Sequence, residues 1–255
     1  MRAFIAGFLL ELRIMRSSPD ALMPLFTAPL FAIIFLAIVR QSGRDDLTPD
    51  ALMAPVLMTL LWVALQHAGT VMAGDRWQAL LEPMVAAPSS LASFLLGRIM
   101  SLMCFGLLSF IEVWIVAKLV FGVSIPLEHP FELGLTLAVT ALAMGGLAVT
   151  FSALLVMTRN AYTFTNSTSF PLYLLGGVFV PVALLPGWIQ PVSAVLFVSW
   201  SSDLLRSTVH DAPIDDFWQR LGMVLVLGAI SFVIGRVILH YVLRKMRANG
   251  ELATA

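Results

Sequence analysis

Uninterrupted apolar runs of about 20 residues or more restrict the folds open to this chain more than any other feature does. A run of this length matches a helix that crosses a hydrocarbon core roughly 30 Å thick, whereas a membrane β-strand needs only about ten alternating residues. Charged residues make up 12% of the chain, about half of the roughly 25% that wets a soluble domain. We therefore predict an all-α integral membrane protein.

Six apolar segments predict six transmembrane helices within a single domain over residues 1–255. They cover residues 21–39, 51–73, 91–120, 133–157, 161–180 and 217–242. The third segment, at roughly 30 residues or about 45 Å, is longer than a bilayer core, so it must tilt or project beyond the membrane.

Residues 1–18 predict an amphipathic helix at the membrane surface. Apolar side chains at positions 4, 8, 12 and 15 share one face, and Arg13 and Arg16 can reach lipid phosphates. No small-residue cleavage site follows, so we do not expect a cleaved signal peptide.

Residues 181–209 predict a re-entrant hairpin of two short helices. Pro181, Pro186 and Pro191 interrupt the stretch, and its apolar run is too short to cross a bilayer. Irregular backbone at membrane depth must be covered by protein or line a wet cavity.

The distribution of basic residues predicts the orientation. With six crossings, ten of the 15 Lys and Arg residues lie on the side of the termini. Because short cytoplasmic loops carry the excess of Lys and Arg, we expect both termini and residues 74–90 in the cytoplasm, with the chain in the cell membrane.

The stretch at 74–90 predicts a cytosolic amphipathic helix between the second and third spans. Its apolar stripe comprises Trp77, Leu80, Leu81, Met84 and Val85, and its polar face comprises Asp75, Arg76, Gln78 and Glu82. Pro83 lacks an amide donor and kinks the helix, and Pro88 ends it. An ordinary surface helix is the alternative interpretation.

Two motifs in these places resemble the membrane subunits of ATP-binding-cassette (ABC) exporters of type 2. The first motif comprises Arg76, Leu81, Glu82, Met84, Val85 and Pro88, followed by Leu95-Leu96-Gly97-Arg98. The second is the run 171–181, followed by Leu185-Pro186-Gly187-Trp188 and by Leu205-Arg206. The chain departs from the usual family residues at Trp77, Gln78, Leu80 and Pro83.

The resemblance implies a permease that works with a second permease copy, or a related one, and with two ABC ATPase subunits. It implies outward transport of a drug-like or lipid-like amphiphile by alternating access, and a transport subunit rather than an enzyme. No GxxxxGK[ST] motif occurs in the sequence, so we expect ATP and Mg on the partner ATPase and no cofactor on this chain. The expected ATPase contacts are Asp75, Arg76, Trp77, Leu81, Glu82, Met84, Val85 and Pro88. In the hairpin the resemblance singles out Pro186, Gly187, Trp188 and Arg206.

The resemblance also implies that the second and fifth spans line the transport pathway. The pathway candidates are Trp62, Gln66, His67, Glu112, Phe164, Asn166 and Ser167. Each has a structural alternative: Glu112 pairing with Arg206, His67 as a packing residue, and polar side chains bonding to their own helix carbonyls.

The alternative function is a proton- or ion-coupled secondary transporter that uses Glu112 and His67, since intramembrane ionisable groups commonly mark ion pathways. A membrane enzyme has little support, because the sequence lacks an HExxH motif and a paired-carboxylate site. The single cysteine, Cys104, forms no internal disulfide, and a formal net charge of zero gives no reason to expect nucleic acid.

Overall fold

The computed structural model describes residues 2–17, 23–44, 47–77, 91–123, 129–156, 158, 160–210 and 212–249. Over these ranges the chain is helical and contains no β-strand, which confirms the all-α class. The α-helices are α1 (Arg2–Ser17), α2 (Met23–Ser42), α3 (Thr48–Trp62), α4 (Val71–Trp77), α5 (Leu91–Gly106), α6 (Leu108–Phe121), α7 (Pro130–Leu155), α8 (Ala161–Leu175), α9 (Gln190–Ala194), α10 (Phe197–Ser207) and α11 (Phe217–Asn249).

Among the described residues, four helical stretches are long and apolar enough to cross a membrane: Thr48–Asp75, Leu91–Phe121, Pro130–Leu155 and Phe217–Val242. They coincide with the second, third, fourth and sixth predicted spans. The first and fifth predicted spans correspond to α2 and α8, which have 20 and 15 residues. At about 1.5 Å per residue, α8 is shorter than a hydrocarbon core. Six crossings therefore stay a prediction.

The second span is not one regular α-helix. A π-helical segment, Val63–Ala68, joins α3 to the short helix α4. At its end the amide of Gly69 donates to the carbonyl of Ala64, five residues earlier, at 2.9 Å. Such wide turns are rare and occur frequently at functional sites.

The third span is interrupted once, at Leu107, between α5 and α6. The whole stretch, Leu91–Phe121, has 31 residues and is about 46 Å long at 1.5 Å per residue. It exceeds the thickness of a bilayer core, as the sequence predicts. About a third of it must therefore lie beyond the hydrocarbon region or be accommodated by tilt.

Helices α7 and α11 pack closely along each other in the described core. A Cβ atom added at Gly228 would lie 2.6 Å from Cβ of Ala143, and one added at Gly146 would lie 2.8 Å from the carbonyl oxygen of Gly228. The hydroxyl of Thr150 also donates to the carbonyl of Ser231 at 2.7 Å. Small residues thus allow the backbones to approach, as is usual between membrane helices.

Helix α1 packs along α5 through a second glycine contact. A Cβ atom added at Gly97 would lie 2.0 Å from the carbonyl oxygen of Phe4, and one added at Gly7 would lie 2.1 Å from that of Phe94. The sequence predicts α1 as a helix at the membrane surface, and that location stays a prediction. The structure adds that one face of α1 is buried against the third span.

Short helices follow α8 in the region of the predicted hairpin. This region contains a 3₁₀ turn (Val182–Leu184) followed by the two short helices α9 and α10. The hydroxyl of Ser202 donates to the carbonyl of Gly176 at 2.8 Å, which ties α10 to the end of α8. The depth of this region in a membrane stays a prediction.

Candidate functional site

A cavity of about 460 Å³ lies between α2, the second span and α8 with the segment that follows it. It includes three of the predicted pathway residues, Trp62, Gln66 and Asn166. The other four predicted residues do not line it. The cavity is within the size range of small-molecule sites, which is about 300–1,000 Å³.

Aromatic side chains form a large part of the cavity wall. The five are Phe31, Trp62, Phe170, Tyr173 and Phe179. The rings of Phe170 and Tyr173 meet edge to face at 6.5 Å between centroids, and those of Tyr173 and Phe179 lie 5.3 Å apart. These contacts hold three rings against one another and make this part of the wall apolar.

The π segment positions the polar end of the cavity. Nε2 of Gln66 donates to Oδ1 of Asn166 at 2.6 Å. Oγ1 of Thr165 donates to Oε1 of Gln66 at 2.8 Å. These two bonds join Gln66 of the second span to two side chains of α8. The pathway candidates Gln66 and Asn166 are therefore neighbours in space, although each was predicted from a separate span.

The remaining pathway candidates lie around this cluster or far from it. The imidazole of His67 packs against the indole of Trp62, with centroids 4.8 Å apart, which agrees with the packing alternative for His67. The ring of Phe164 packs against Phe151 at 6.0 Å. Ser167 is exposed on α8. These three residues are not part of the cavity wall.

Glu112 is separate from the cavity, and its predicted pairing with Arg206 is wrong. Its Oε2 is buried and accepts no hydrogen bond from the described part of the chain. Arg206 instead donates from Nη2 to the carbonyl of Val178 at 3.0 Å, and its Nε lies 3.7 Å from Oδ1 of Asp50. The carboxylate of Asp50 lies at the start of the second span.

Arg206 organises one end of the helical bundle. Burial lowers the pKa of its guanidinium below the ordinary value, whereas the carboxylates of Asp50 and Asp203 raise it. Nδ1 of His210 lies 2.8 Å from the carbonyl oxygen of Arg206 and donates to it in the tautomer that carries the proton on Nδ1. Of the other predicted hairpin residues, Trp188 is exposed, and Pro186 and Gly187 lie in the turn before α9. Arg206 therefore serves to hold α10 against α3.

A buried ion cluster joins three elements near the predicted coupling stretch. Nε of Arg98 on α5 lies 2.7 Å from Oε2 of Glu11 on α1, and its Nη1 lies 2.5 Å from Oδ2 of Asp75 on α4. All three side chains are exposed by a tenth or less. We call Glu11, Arg98 and Asp75 the ion joint.

The ion joint changes the role predicted for Asp75. The sequence places Asp75 on the polar face that contacts an ATPase, whereas the structure buries its carboxylate against Arg98. Arg76 and Trp77 belong to α4, of which they are the last residues. The predicted contacts Leu81, Glu82, Met84, Val85 and Pro88 lie outside the described residues, so the ATPase contact stays a prediction.

Sequence reasoning missed Glu11 and the pairing partner of Arg98. One signal was present: Glu11 is the only acidic residue in the first 18 positions, and it interrupts an apolar run. A lone carboxylate in such a helix requires a cation, since buried charges are paired. Which cation it meets depends on how α1 packs on α5.

The comparisons with known proteins agree with this architecture. The model of the ABC-2 type transporter family matches residues 9–210, which is most of the chain. None of the curated proteins compared matches it. This family supports a transport permease that is not itself catalytic, and it does not favour the alternative of a proton-coupled carrier. A helical, multi-pass membrane chain with this match over most of its length belongs to the ABC-2 type transporter family.

Proposed function

We propose that this chain is the permease subunit of an ATP-driven exporter that moves an amphiphilic molecule outward by alternating access. The observation that carries the proposal is the cavity between α2, the second span and α8. Its aromatic wall suits an apolar body, and its amide end suits a polar group on the same molecule. In a chain of this family, such a cavity is the candidate place for cargo.

The energy is proposed to come from ATP and Mg bound by two ABC ATPase subunits, because this sequence contains no P-loop motif. The predicted contact with them is the stretch at 74–90. Its first residues belong to α4, where Asp75 binds Arg98. Movement of the stretch would therefore reach the third span through Arg98 and α1 through Glu11.

A second permease copy is proposed to cover the exposed face of α8. Thr163, Asn166 and Ser167 are exposed on this helix, which has few neighbours in the described fold. Polar side chains that face hydrocarbon are costly, so membrane helices direct them toward protein or water. A dimer partner or a wet pathway between two copies satisfies that requirement.

Transport into inside-out membrane vesicles tests the proposal. Inside-out vesicles are prepared from cells that contain the chain and from cells that lack its gene. A fluorescent amphiphile is then added to the solution outside the vesicles. We expect uptake that requires both hydrolysable ATP and the chain, and that persists when a protonophore collapses the proton gradient. Uptake that follows the proton gradient without ATP would instead establish the secondary transporter.

A further inference from the structure

A second groove lies between α1 and α5, apart from the proposed cargo cavity. Its volume is about 350 Å³, and it shares no lining residue with that cavity. Helix α1 contributes most of the lining, and α5 contributes one aromatic ring. The lining residues are Leu9, Leu12, Arg13, Met15, Arg16 and Phe105. The groove therefore combines two guanidinium groups with an apolar surface.

The apolar part of the groove is partly open to the surroundings of the protein. Leu9 and Leu12 are 49% and 37% exposed, whereas Met15 is buried. Phe105 on α5 is half-buried. When an amphipathic helix lies at a membrane surface, exposed leucines of this kind contact the acyl chains of lipids. An acyl chain therefore suits this part of the groove.

The two arginines have no counter-charge in the described part of the chain. Neither forms an ion pair with a described residue, and Glu11, the one acidic residue of α1, binds Arg98 instead. Arg13 and Arg16 are three positions apart on one helix, so their side chains are neighbours and repel each other. An anion between them would replace this repulsion with attraction, and the planar guanidinium group suits phosphate oxygens.

The groove continues from the ion joint toward the apolar part of the third span. Phe105 follows Arg98 by seven positions on α5, which is about 10 Å at 1.5 Å per residue. The stems of Arg13 and Arg16 can lie along apolar surface while their charged ends reach the level of the lipid phosphates. A molecule with a phosphate at one end and hydrocarbon at the other therefore matches both parts of the groove.

We propose that the groove binds one anionic phospholipid of the membrane leaflet in which α1 lies. Arg13 and Arg16 bind its phosphate, and the first part of an acyl chain lies on Leu12 and Phe105. Because the lipid contacts both α1 and α5, it holds the two helices together beside the ion joint. It is a resident ligand rather than cargo, so the proposal is independent of the proposed transport function.

Two lipids with the same acyl chains separate the headgroup charge from hydrophobic binding. Dioleoyl phosphatidylglycerol has a net negative headgroup, whereas the choline cation of dioleoyl phosphatidylcholine offsets its phosphate. The full-length chain, purified in detergent without lipid, is titrated with each lipid, and its thermal unfolding midpoint is measured. A ligand that binds the folded chain raises this midpoint. We expect phosphatidylglycerol to reach its half-maximal effect at a concentration about tenfold lower or more, since each of two arginines attracts anionic lipid.

Charge-matched variants locate the phosphate contact. The double variant Arg13→Gln, Arg16→Gln removes both guanidinium groups, and we expect phosphatidylglycerol to act on it no more strongly than phosphatidylcholine does. The double variant Arg2→Gln, Arg236→Gln is the control. It removes the same charge from exposed positions outside the groove, on the side predicted to be cytoplasmic, and it should retain the wild-type preference. Midpoints measured without lipid, when there is no phosphate to bind, check that both variants are folded.

Inorganic phosphate distinguishes a lipid site from a site for any small anion. It supplies the negative charge but has no acyl chain to cover Leu12 and Phe105. At matched ionic strength, we therefore expect it to leave the midpoint unchanged at the concentrations where phosphatidylglycerol has its full effect.

Four outcomes contradict the proposal. Equal effects of the two lipids, or no effect of phosphatidylglycerol, exclude recognition of an anionic lipid. An equal loss of preference in the two double variants shows attraction to surface charge in general. A rise in the midpoint with inorganic phosphate at the same concentrations shows a site for a free anion. The comparison of the three ligands on the wild-type chain holds even where a variant does not fold.

Discussion

Arg98 is the residue whose replacement should cost the most stability in the described fold. Arg98→Gln leaves the carboxylates of Glu11 and Asp75 buried without a cation. Breaking a buried ion pair in this way typically costs about 3–5 kcal/mol. We expect a marked fall in the thermal unfolding midpoint of the detergent-purified protein. Arg13→Gln, exposed on α1, is the control, and equal midpoints for the two variants would contradict the importance of the ion joint.

For Glu112 we expect the opposite effect of replacement on stability, because its buried Oε2 has no hydrogen-bond partner among the described residues. Such an unsatisfied group costs about 1–3 kcal/mol or more when it is charged. Glu112→Gln removes the charge at nearly constant volume, so we expect an equal or higher unfolding midpoint. A lower midpoint would show that the carboxylate has a partner, for example in a second copy of the chain.

At the scale of elements, the contact between α1 and α5 depends on glycine. Gly97→Val would place side-chain atoms where the backbone of Phe4 lies, because even a Cβ atom would approach that carbonyl to 2.0 Å. Backbone is unable to yield as a flexible side chain does, so we expect α1 to separate from α5 and to become accessible to protease in membrane vesicles. Gly134→Val is the control, since a Cβ there meets nothing within 4 Å; equal protection in both variants would refute the close contact.

The sequence predicted some elements better than others. Features that depend on local hydropathy were predicted, whereas features that depend on contacts between distant residues were not. Apolar runs are local, so the spans at Pro130–Leu155 and Phe217–Val242 were predicted from composition. The π segment was not, because α- and π-helices have the same hydropathy. Nor does hydropathy indicate pairing: Gln66 meets Asn166 from 100 positions away, and Glu11 meets Arg98 from 87. Those contacts depend on how the helices pack.

At the scale of the whole molecule, the exposed face of α8 predicts where two copies meet. In a background without the native exposed Cys104, we expect Ser167→Cys to form a disulfide-linked dimer when membranes are oxidised. Leu119→Cys should not, because Leu119 is 78% exposed and apolar on α6, as a lipid-facing residue is. Denaturing gels without reductant measure the dimer. Equal cross-linking at the two positions would contradict a specific interface at α8.

Coupling to the ATPase is a property of the complete transporter, and Glu82 tests it. This residue lies outside the described part of the chain, a few positions after α4 and the ion joint. The proposed role of its carboxylate is to fix the register of the predicted amphipathic helix on the ATPase, since charges at an interface determine specificity and register more than affinity. Reversing the charge should therefore misalign the contact without affecting membrane insertion.

We expect Glu82→Arg to reduce export per ATP hydrolysed by about tenfold or more, because like charges placed across an interface cost several kcal/mol. The measurement compares ATP hydrolysis and amphiphile uptake in the same inside-out vesicles, at matched amounts of the chain. Asp215→Arg reverses a charge at an exposed position on the side predicted to be extracytoplasmic, and it should leave the ratio unchanged. If Glu82→Arg retains the wild-type ratio of export to ATP hydrolysis, the proposed contact is wrong. The ATPase then contacts another part of the cytoplasmic surface, and its movement reaches the ion joint through a different element.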